Sequence, residues 1–491
     1  MTSTAGRKPA RVVALAPMPP EPQAYALARY SRSPDSIQQS LEWVHAHSAE
    51  KFWEKFYFDY GHASIADLGH VAICFENISE LAALEILDEQ TWDGQQRSTR
   101  YQDGAGAACA LPPEIASPKL AAEYDAAAAR LFARYTEVHE KSIAALAQKL
   151  TRPDSMSQEA FDRNLAARAY DVARYLLPLG APTSLGQVVS IRTLERQISR
   201  LLVSEYGEVR AIGEMLRQAC SEPPDATWPR LESSGTATGP LAPTLARHAQ
   251  PSEYQRAVRS QARALAARFL DGLKASGGPD VHLIRPHSPE SELASTLLYS
   301  QSNLPYAKVL GRLEACTIDE RRWVIHEVLG DRGPHDELPR AARAGHRFLF
   351  DISMDIGGWR DLHRHRRCDQ ILQPFDLLAG SQFPEGAGEL GVLGLMEDAY
   401  SDAFEAARRI ADEAGPLAAH YLLPFAHRVR CLFKMDFAEA DYMCRLRSGT
   451  KGHPSYRKVA WEMAEAVKVA EPGLADLIEA TPPWVEDPLK R

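Results

Sequence analysis

The sequence predicts an α+β protein made of two tandem units of one design, each a mixed sheet packed with several helices. Three observations carry that expectation. Tyr-Leu-Leu-Pro occurs at Tyr175–Pro178 and again at Tyr421–Pro424, a step of 246 residues. Arg200 and Arg210 lie 22 and 32 residues beyond Pro178, while Arg447 and Arg457 lie 23 and 33 beyond Pro424. A tetrapeptide followed by two arginines in near-equal register points to an internal repeat. Finally, Phe348–Ile356 alternates strongly and weakly apolar residues with the period of a half-buried strand, and Val71–Phe75 is its shorter counterpart. Each leads through a helix-like stretch into a polar motif.

In chain order, Met1–Pro20 ends in Pro-Met-Pro-Pro and lacks a secretory apolar run, so no targeting signal is expected. The first unit is assigned residues 1–220. Within it, Tyr101 to Tyr175 spans 74 residues, and the matching stretch of the second half is about 30 shorter. The excess is read mainly as Lys119–Leu150, an alanine-rich amphipathic helix. Arg192–Met215 and Asp436–Arg447 also read as helices. Residues 221–252, rich in Pro, Ser, Thr, Gly and Ala, read as a flexible linker, and 253–491 as the second unit.

At 491 residues the chain exceeds one ordinary core, which favours two domains. Its 45% apolar and 25% charged residues are those of a soluble globular protein. No apolar run approaches the roughly 20 residues of a membrane span. Seven cysteines, odd in number and without Cys-x-x-Cys, fit reduced thiols in the cytoplasm. A net charge of −9 argues against a nucleic-acid polymer as partner. Any bound phosphate would need a local arginine pocket.

Two motifs suit such a pocket. Arg364-His365-Arg366 follows the second strand through Gly357–His363, and guanidinium forks grip phosphate or stack on rings. In the first half Ser98-Thr-Arg100-Tyr101 places a hydroxyl and a guanidinium two residues apart, able to converge on one phosphate. Simpler roles stand beside these: a solvated charge run for 364–366, a turn for 98–101, carboxylate pairing for Arg174 and Arg200. Ser64 and Asp67 suit a helix N-cap. His363, His365, Cys368 and Asp369 are metal-ligand types, but the arginines at 364, 366 and 367 would repel a dication, so no metal is expected. Gly386–Gly391 fits Gly-x-Gly-x-x-Gly, yet it follows a loop instead of the strand that a dinucleotide site requires.

Taken in order, these elements resemble the flavin-dependent thymidylate synthases twice over. The first half offers Gly61-His62-Ala-Ser64-Ile-Ala-Asp67, Ser98-Thr-Arg100-Tyr101, Ala173-Arg174-Tyr-Leu-Leu-Pro178, Arg200 and Glu208-Val-Arg210. The second offers His335, the strand, Arg364-His-Arg366, Tyr421–Pro424, Arg447 and Arg457. The departures are complementary. Asp88-Glu89-Gln90 stands in the Arg-His-Arg slot of the first half, and the family's Asn-Glu becomes Gln95-Gln96. Pro374–Leu377 replaces Ser-x-Arg-Tyr in the second half.

The resemblance implies an FAD enzyme that moves a one-carbon unit from methylenetetrahydrofolate to C5 of a uridine-type nucleotide, with NADPH recharging the flavin. It places Arg364, His365, Arg366, Ser64 and Asp67 at the flavin, and Ser98, Arg100, Tyr101, Arg174 and Gln96 at the nucleotide. Arg200 or Arg447 would lie against the pyrimidine. It also implies a homodimer that reproduces a tetramer of single units. Two alternatives stay open: a related flavoenzyme with another acceptor, and a non-catalytic nucleotide-binding protein.

Overall fold

The computed structural model describes residues 18–30, 36–47, 49–54, 63–100, 108–224, 243–273, 279–284, 288–330, 339–342, 344, 348–470, 472, 475 and 478–487. Gly61, His62, Tyr101, His335 and most of the expected linker lie outside these residues. The chain forms two compact units that cut across the halves of the sequence. One comprises Met1–Val71, Val189–Arg196 and Met215–Ala249; the other comprises Ala72–Val188, Gln197–Glu214 and Gln250–Arg491.

In the first unit, helices Pro20–Tyr30, Ile37–His45 and Ala49–Phe52 gather around Tyr25, which stacks on Phe52 at 3.9 Å. Ser36 and Gln39 close a capping box at the start of the second of these helices. Glu21 accepts a hydrogen bond from the Thr244 amide at 2.9 Å, which ties down the helix Pro243–His248. The end of the stretch expected as linker is therefore helical.

The larger unit holds most of both sheets. In the first half β1 (His70–Ser79) runs into α1 (Glu80–Leu87), followed by β2 (Asp93–Gln96), α2 (Pro118–Lys149), α3 (Gln158–Ala173), β3 (Pro182–Ser190), α4 (Ile191–Leu201) and α5 (Gly207–Ser221). After β4 (Val281–Ile284) the order recurs. It runs β5 (Phe348–Asp355), α6 (Ile356–Leu362), β6 (Asp369–Leu372), α7 (Leu393–Ala414), β7 (Arg428–Met435), α8 (Phe437–Ser448) and α9 (Pro454–Ala470). The strand orders are β1-β3-β2 and β4-β5-β7-β6, so the second sheet repeats the first with β4 added at its edge.

Register repeats as well. Asp93 faces Val188 in one sheet and Asp369 faces Lys434 in the other, steps of 276 and 246 residues. Below, two residues related by either step are called mates. The 30-residue difference is spread out and is not one added helix: α2 has 32 residues against 22 in α7, and α3 has 16 against five in the helix Pro416–His420.

The two Tyr-Leu-Leu-Pro segments pair with each other around a bridge between Pro178 and Pro424. The Leu179 amide donates to Leu423 O at 2.9 Å, and its mate Phe425 donates to Leu177 O at 2.9 Å. Gly180 donates to Tyr421 O at 2.6 Å, and its mate Ala426 to Tyr175 O at 2.9 Å. The recurrence marks the seam where the halves exchange equivalent bonds.

Two expectations are corrected. β5 is not half-buried, because both faces are covered. Leu349 joins a core with helices Glu253–Phe269, Pro289–Tyr299 and Tyr306–Glu314, while α6 and α9 pack from β5's other end and face. Asp351, on the weakly apolar positions, is buried and accepts from the Tyr306 amide, Tyr299 Oη and Arg430. The stretch Arg192–Met215 is not one helix: it breaks between α4 and α5, where Ser204 Oγ accepts from the Tyr206 amide.

Candidate functional site

α1 and α6 start from mated caps. Ser79 Oγ accepts from the Ala82 amide, and Asp355 Oδ1 accepts from the Gly358 amide at 2.6 Å. Each cap is held from behind. Ser79 donates to Glu208 of α5 at 2.6 Å, while Ser455 of α9 donates to Asp355. Hydroxyl and carboxylate have exchanged places between the halves, and both helix starts remain fixed.

α6 carries Arg360 and Asp361, and Arg364 follows just beyond its end; Arg360 reaches Thr99 of the first half's loop at 3.5 Å. Beyond β2, Ser98 Oγ accepts from the Arg100 amide at 3.2 Å, a tight turn that aims Arg100 at α3. There Asp171 takes the guanidinium in a fork, at 2.5 and 3.0 Å. Arg100 also reaches Tyr456 Oη at 3.3 Å. One turn on from Asp171, Arg174 is 1% exposed and meets Asp361 at 3.3 Å from both terminal nitrogens. Arg360 pairs with Glu80 at 2.7 Å and lies over the Phe425 ring at 4.5 Å. Burial pushes the Asp361 carboxyl up, but Arg174, Arg364, Arg100 and Arg360 outweigh it and hold the group below its usual value.

Four guanidiniums, those of Arg100, Arg174, Arg360 and Arg364, thus surround three carboxylates: Asp171, Asp361 and Glu80. Asp355, which caps α6, lies close to Arg174 as a further carboxylate. The Nε atoms of Arg174 and Arg360 are buried without a hydrogen-bond partner. Buried donors of this kind are rare in proteins and call for an acceptor. The arrangement suits an oxyanion.

Arg364-His365-Arg366 divides three ways. Arg364 is 51% exposed in its side chain and 3.9 Å from Asp361. His365 is buried, its Nδ1 at 3.0 Å from Glu439 and its Nε2 accepting from Arg447 Nε at 2.8 Å. Burial pushes the imidazole below its usual pKa, so it is neutral with the proton on Nδ1. Arg366 lies over the Trp92 ring at 4.3 Å and keeps a buried Nε without partner. Arg447 is also 5.7 Å from the Tyr456 ring, beside Arg100's partner.

The other expected residues are placed differently. Arg200 is bound by Glu89 at 2.9 Å and by Glu85 O at 2.7 Å, the carboxylate pairing that a helix arginine commonly finds. Gln96 donates to Glu80 Oε2 at 2.6 Å. Ser64 and Asp67 lie on the 3-10 turn Ala63–Leu68 of the smaller unit, where Asp67 accepts from Arg192 at 3.1 Å and Ser190 at 3.4 Å. Sequence reasoning missed Asp171, Arg360 and Asp361. Asp171 precedes Arg174 by three residues, and Arg360-Asp361 stands inside the stretch leading to Arg364, so helical spacing was the available signal.

The sequence matches the family described as thymidylate synthase complementing protein over residues 14–222 and 344–473. A UPF0159 protein of Chlamydia muridarum (strain MoPn / Nigg) is 26% identical over 429 residues, covering 85% of this chain and 78% of the relative. A UPF0159 protein of Thermoplasma acidophilum is 23% identical over 497 residues, covering 92% and 94%. Among solved structures, a flavin-dependent thymidylate synthase of Helicobacter pylori complexed with FAD and dUMP is 13% identical, with a TM-score of 0.25, over 41% of this chain and 89% of that one. A UMP/dUMP methylase of Streptomyces cacaoi bound with 5-Br dUMP is 14% identical, with a TM-score of 0.28, over 46% and 88%.

Proposed function

The chain belongs to the thymidylate synthase complementing protein family, and on that premise we propose that it is a cytoplasmic flavin-dependent nucleotide methyltransferase. Its reaction transfers a one-carbon unit from methylenetetrahydrofolate to C5 of a uridine-type nucleotide, dUMP to dTMP. We further propose that the chain is a tandem duplication of one family unit and acts as a homodimer with two composite sites. The observation that carries the reading is the arginine cluster, with its two buried Nε donors without a partner.

In this reading Arg100 and Arg174 hold the nucleotide phosphate, with the Ser98 hydroxyl completing the cradle. Arg447 is the better candidate for the pyrimidine, because its hydrogen-bond partner is the neutral His365, whereas Arg200 is paired directly with Glu89. A cation against a carbonyl oxygen stabilises negative charge as C5 becomes nucleophilic. Arg364 and Arg366 would hold the diphosphate of FAD. They fit that group in that Arg364 is half exposed and Arg366 retains a buried Nε–H to give. When bound, the reduced flavin supplies hydride to the transferred carbon, and NADPH restores it.

The test is to load the purified protein with FAD, add dUMP, methylenetetrahydrofolate and NADPH, and assay for dTMP by mass spectrometry. Product that disappears in Arg174→Met supports the reading. Failure to retain flavin or to bind dUMP would sink it. Retained flavin and bound nucleotide without dTMP would favour another acceptor, the reading to which Gln96, committed to Glu80, already points.

A further inference from the structure

Just over two turns of α8 separate Glu439 from Arg447, about 12 Å along the axis. His365, arriving from the loop after α6, spans that gap. Its Nδ1 is 3.0 Å from Glu439 Oε1 and its Nε2 is 2.8 Å from Arg447 Nε. Both sides of the bridge are pinned. Glu439 is 2% exposed, and its amide donates to the Asp436 cap at 2.9 Å. The His365 amide donates to Leu362 O at 3.0 Å, and the His365 carbonyl oxygen accepts from Gln370 at 2.7 Å and from Cys368 at 3.1 Å.

A guanidinium nitrogen only donates. The imidazole must therefore offer Arg447 a lone pair, which places the ring proton on Nδ1, against the Glu439 carboxylate. The other tautomer would set two N–H groups face to face at 2.8 Å and leave a buried carboxylate against a lone pair. A carboxylate behind a histidine selects its tautomer in this way. Among the described residues, the bond to His365 is the one hydrogen bond of the Arg447 guanidinium. The direction of that guanidinium thus depends on a carboxylate two turns away.

The first half is built differently at the mated places. Glu89, the mate of His365, takes Arg200 directly at 2.9 Å, and Thr193 is the mate of Glu439. Where the slot is itself a carboxylate, none stands behind it. Where the slot is an imidazole, the carboxylate has moved one link back. From there it orients the arginine without pairing with it.

We propose that Glu439 is a positioning residue: it holds His365 in the Nδ1–H form and thereby fixes the guanidinium of Arg447 for the nucleotide. The second half of this statement rests on the reading above that Arg447 meets the pyrimidine.

Two measurements on the full chain keep the two apart. Equilibrium dialysis with FAD added follows dUMP binding. Nitrogen NMR of isotope-labelled histidine reports the tautomer of His365, its signals assigned with His365→Gln. The wild type is expected to show the Nδ1–H form. Glu439→Leu orphans the buried Nδ1–H, and the ring relieves this by carrying its proton on Nε2, which displaces Arg447. This variant should lose the pure Nδ1–H form and bind dUMP about tenfold more weakly. Glu439→Gln, whose amide oxygen still accepts from Nδ1, should keep that form and lose less than about threefold. In an Arg447→Met background Glu439→Leu should cause no further loss, whereas a general disturbance of α8 would add to it. The proposal is overturned if wild-type His365 carries its proton on Nε2, if the Nδ1–H form persists unchanged in Glu439→Leu, or if the two losses add. Should Arg447→Met bind dUMP as the wild type does, the pyrimidine assignment falls. A tautomer that changes in Glu439→Leu but not in Glu439→Gln would still support the hold of Glu439 on His365.

Discussion

At the end of α1 stands Asp88-Glu89-Gln90, and at the end of α6 stands Arg364-His365-Arg366. In both, the middle residue is bonded to an arginine of the helix behind it. Glu89 meets Arg200 at 2.9 Å, and His365 meets Arg447 at 2.8 Å. The scaffold has kept the contact and changed its charge. Glu89 and Glu85 consume the charge of Arg200, whereas a neutral imidazole only orients Arg447. A guanidinium held in place but not neutralised is what a site for an anionic or electron-rich ligand needs. The opposite asymmetry holds at the mated loops, where the first half has Ser98 and Arg100 and the second has Pro374 and Asp376. The halves therefore contribute different parts to one cluster, which explains why neither carries the full motif.

The largest expected effect separates Arg174 from its mate His420. Arg174→Met removes the hydrogen-bonded guanidinium from the buried Asp361, leaving the more distant Arg364, Arg100 and Arg360, and breaking a buried pair in this way costs about 3–5 kcal/mol. His420 is neutral, so His420→Met forfeits its bonds with Tyr206 and with the Phe375 backbone and should cost roughly 1–3 kcal/mol. Urea denaturation of the two variants checks the order. Equal losses would mean that the halves are electrostatically alike at this position.

The next effect is on pH. Burial is the largest cause that lowers His363 and His420 to about 4 and His453 to about 3. Their mates are Leu87, Arg174 and Gly207, none of which titrates between pH 4 and 7. A histidine lowered on folding binds more protons when unfolded. Its stability contribution is therefore whole above about pH 6.5 and is lost as pH falls toward the folded value, by about 1.4 kcal/mol per unit at most for each group. Hydrogen exchange should show β7 losing protection between pH 6.5 and 4 before β3 does. Simultaneous loss in both strands would contradict the comparison.

What the sequence revealed is what both halves had to keep. Tyr-Leu-Leu-Pro is visible because each copy bonds the other, so neither is free to drift. The Arg-His-Arg slot was placed correctly on Asp88–Gln90 because β2 and β6 hold one register. Hidden features depend on partners far along the chain. The pairing of Arg200 relies on residues 111 and 115 positions away. The double burial of β5 relies on helices between residues 253 and 314, which no period in the strand itself can announce. The break between α4 and α5 turns on one serine side chain, too local for a pattern of apolar residues to register.

The smallest effect is also the sharpest test of how alike the halves are. Ser79 with Glu208 and Asp355 with Ser455 do the same work with the roles reversed. If the two places are equivalent, the second arrangement should be transplantable into the first. Ser79→Asp alone sets two carboxylates against each other, and Glu208→Ser alone strands the Ser79 amide and hydroxyl, which now bond Glu208 at 3.0 and 2.6 Å. Each should cost about 1–3 kcal/mol. In the double variant the carboxylate at 79 can cap the Ala82 amide, as Asp355 caps Gly358, while accepting from the hydroxyl at 208. Most of the loss should be recovered, with a coupling of roughly 1–3 kcal/mol in a double-mutant cycle. Additive losses would mean that a 247-residue step from Glu208 to Ser455, one longer than the 246 of the seam, has shifted α9 enough that the resemblance of the two caps is chemical and not geometric.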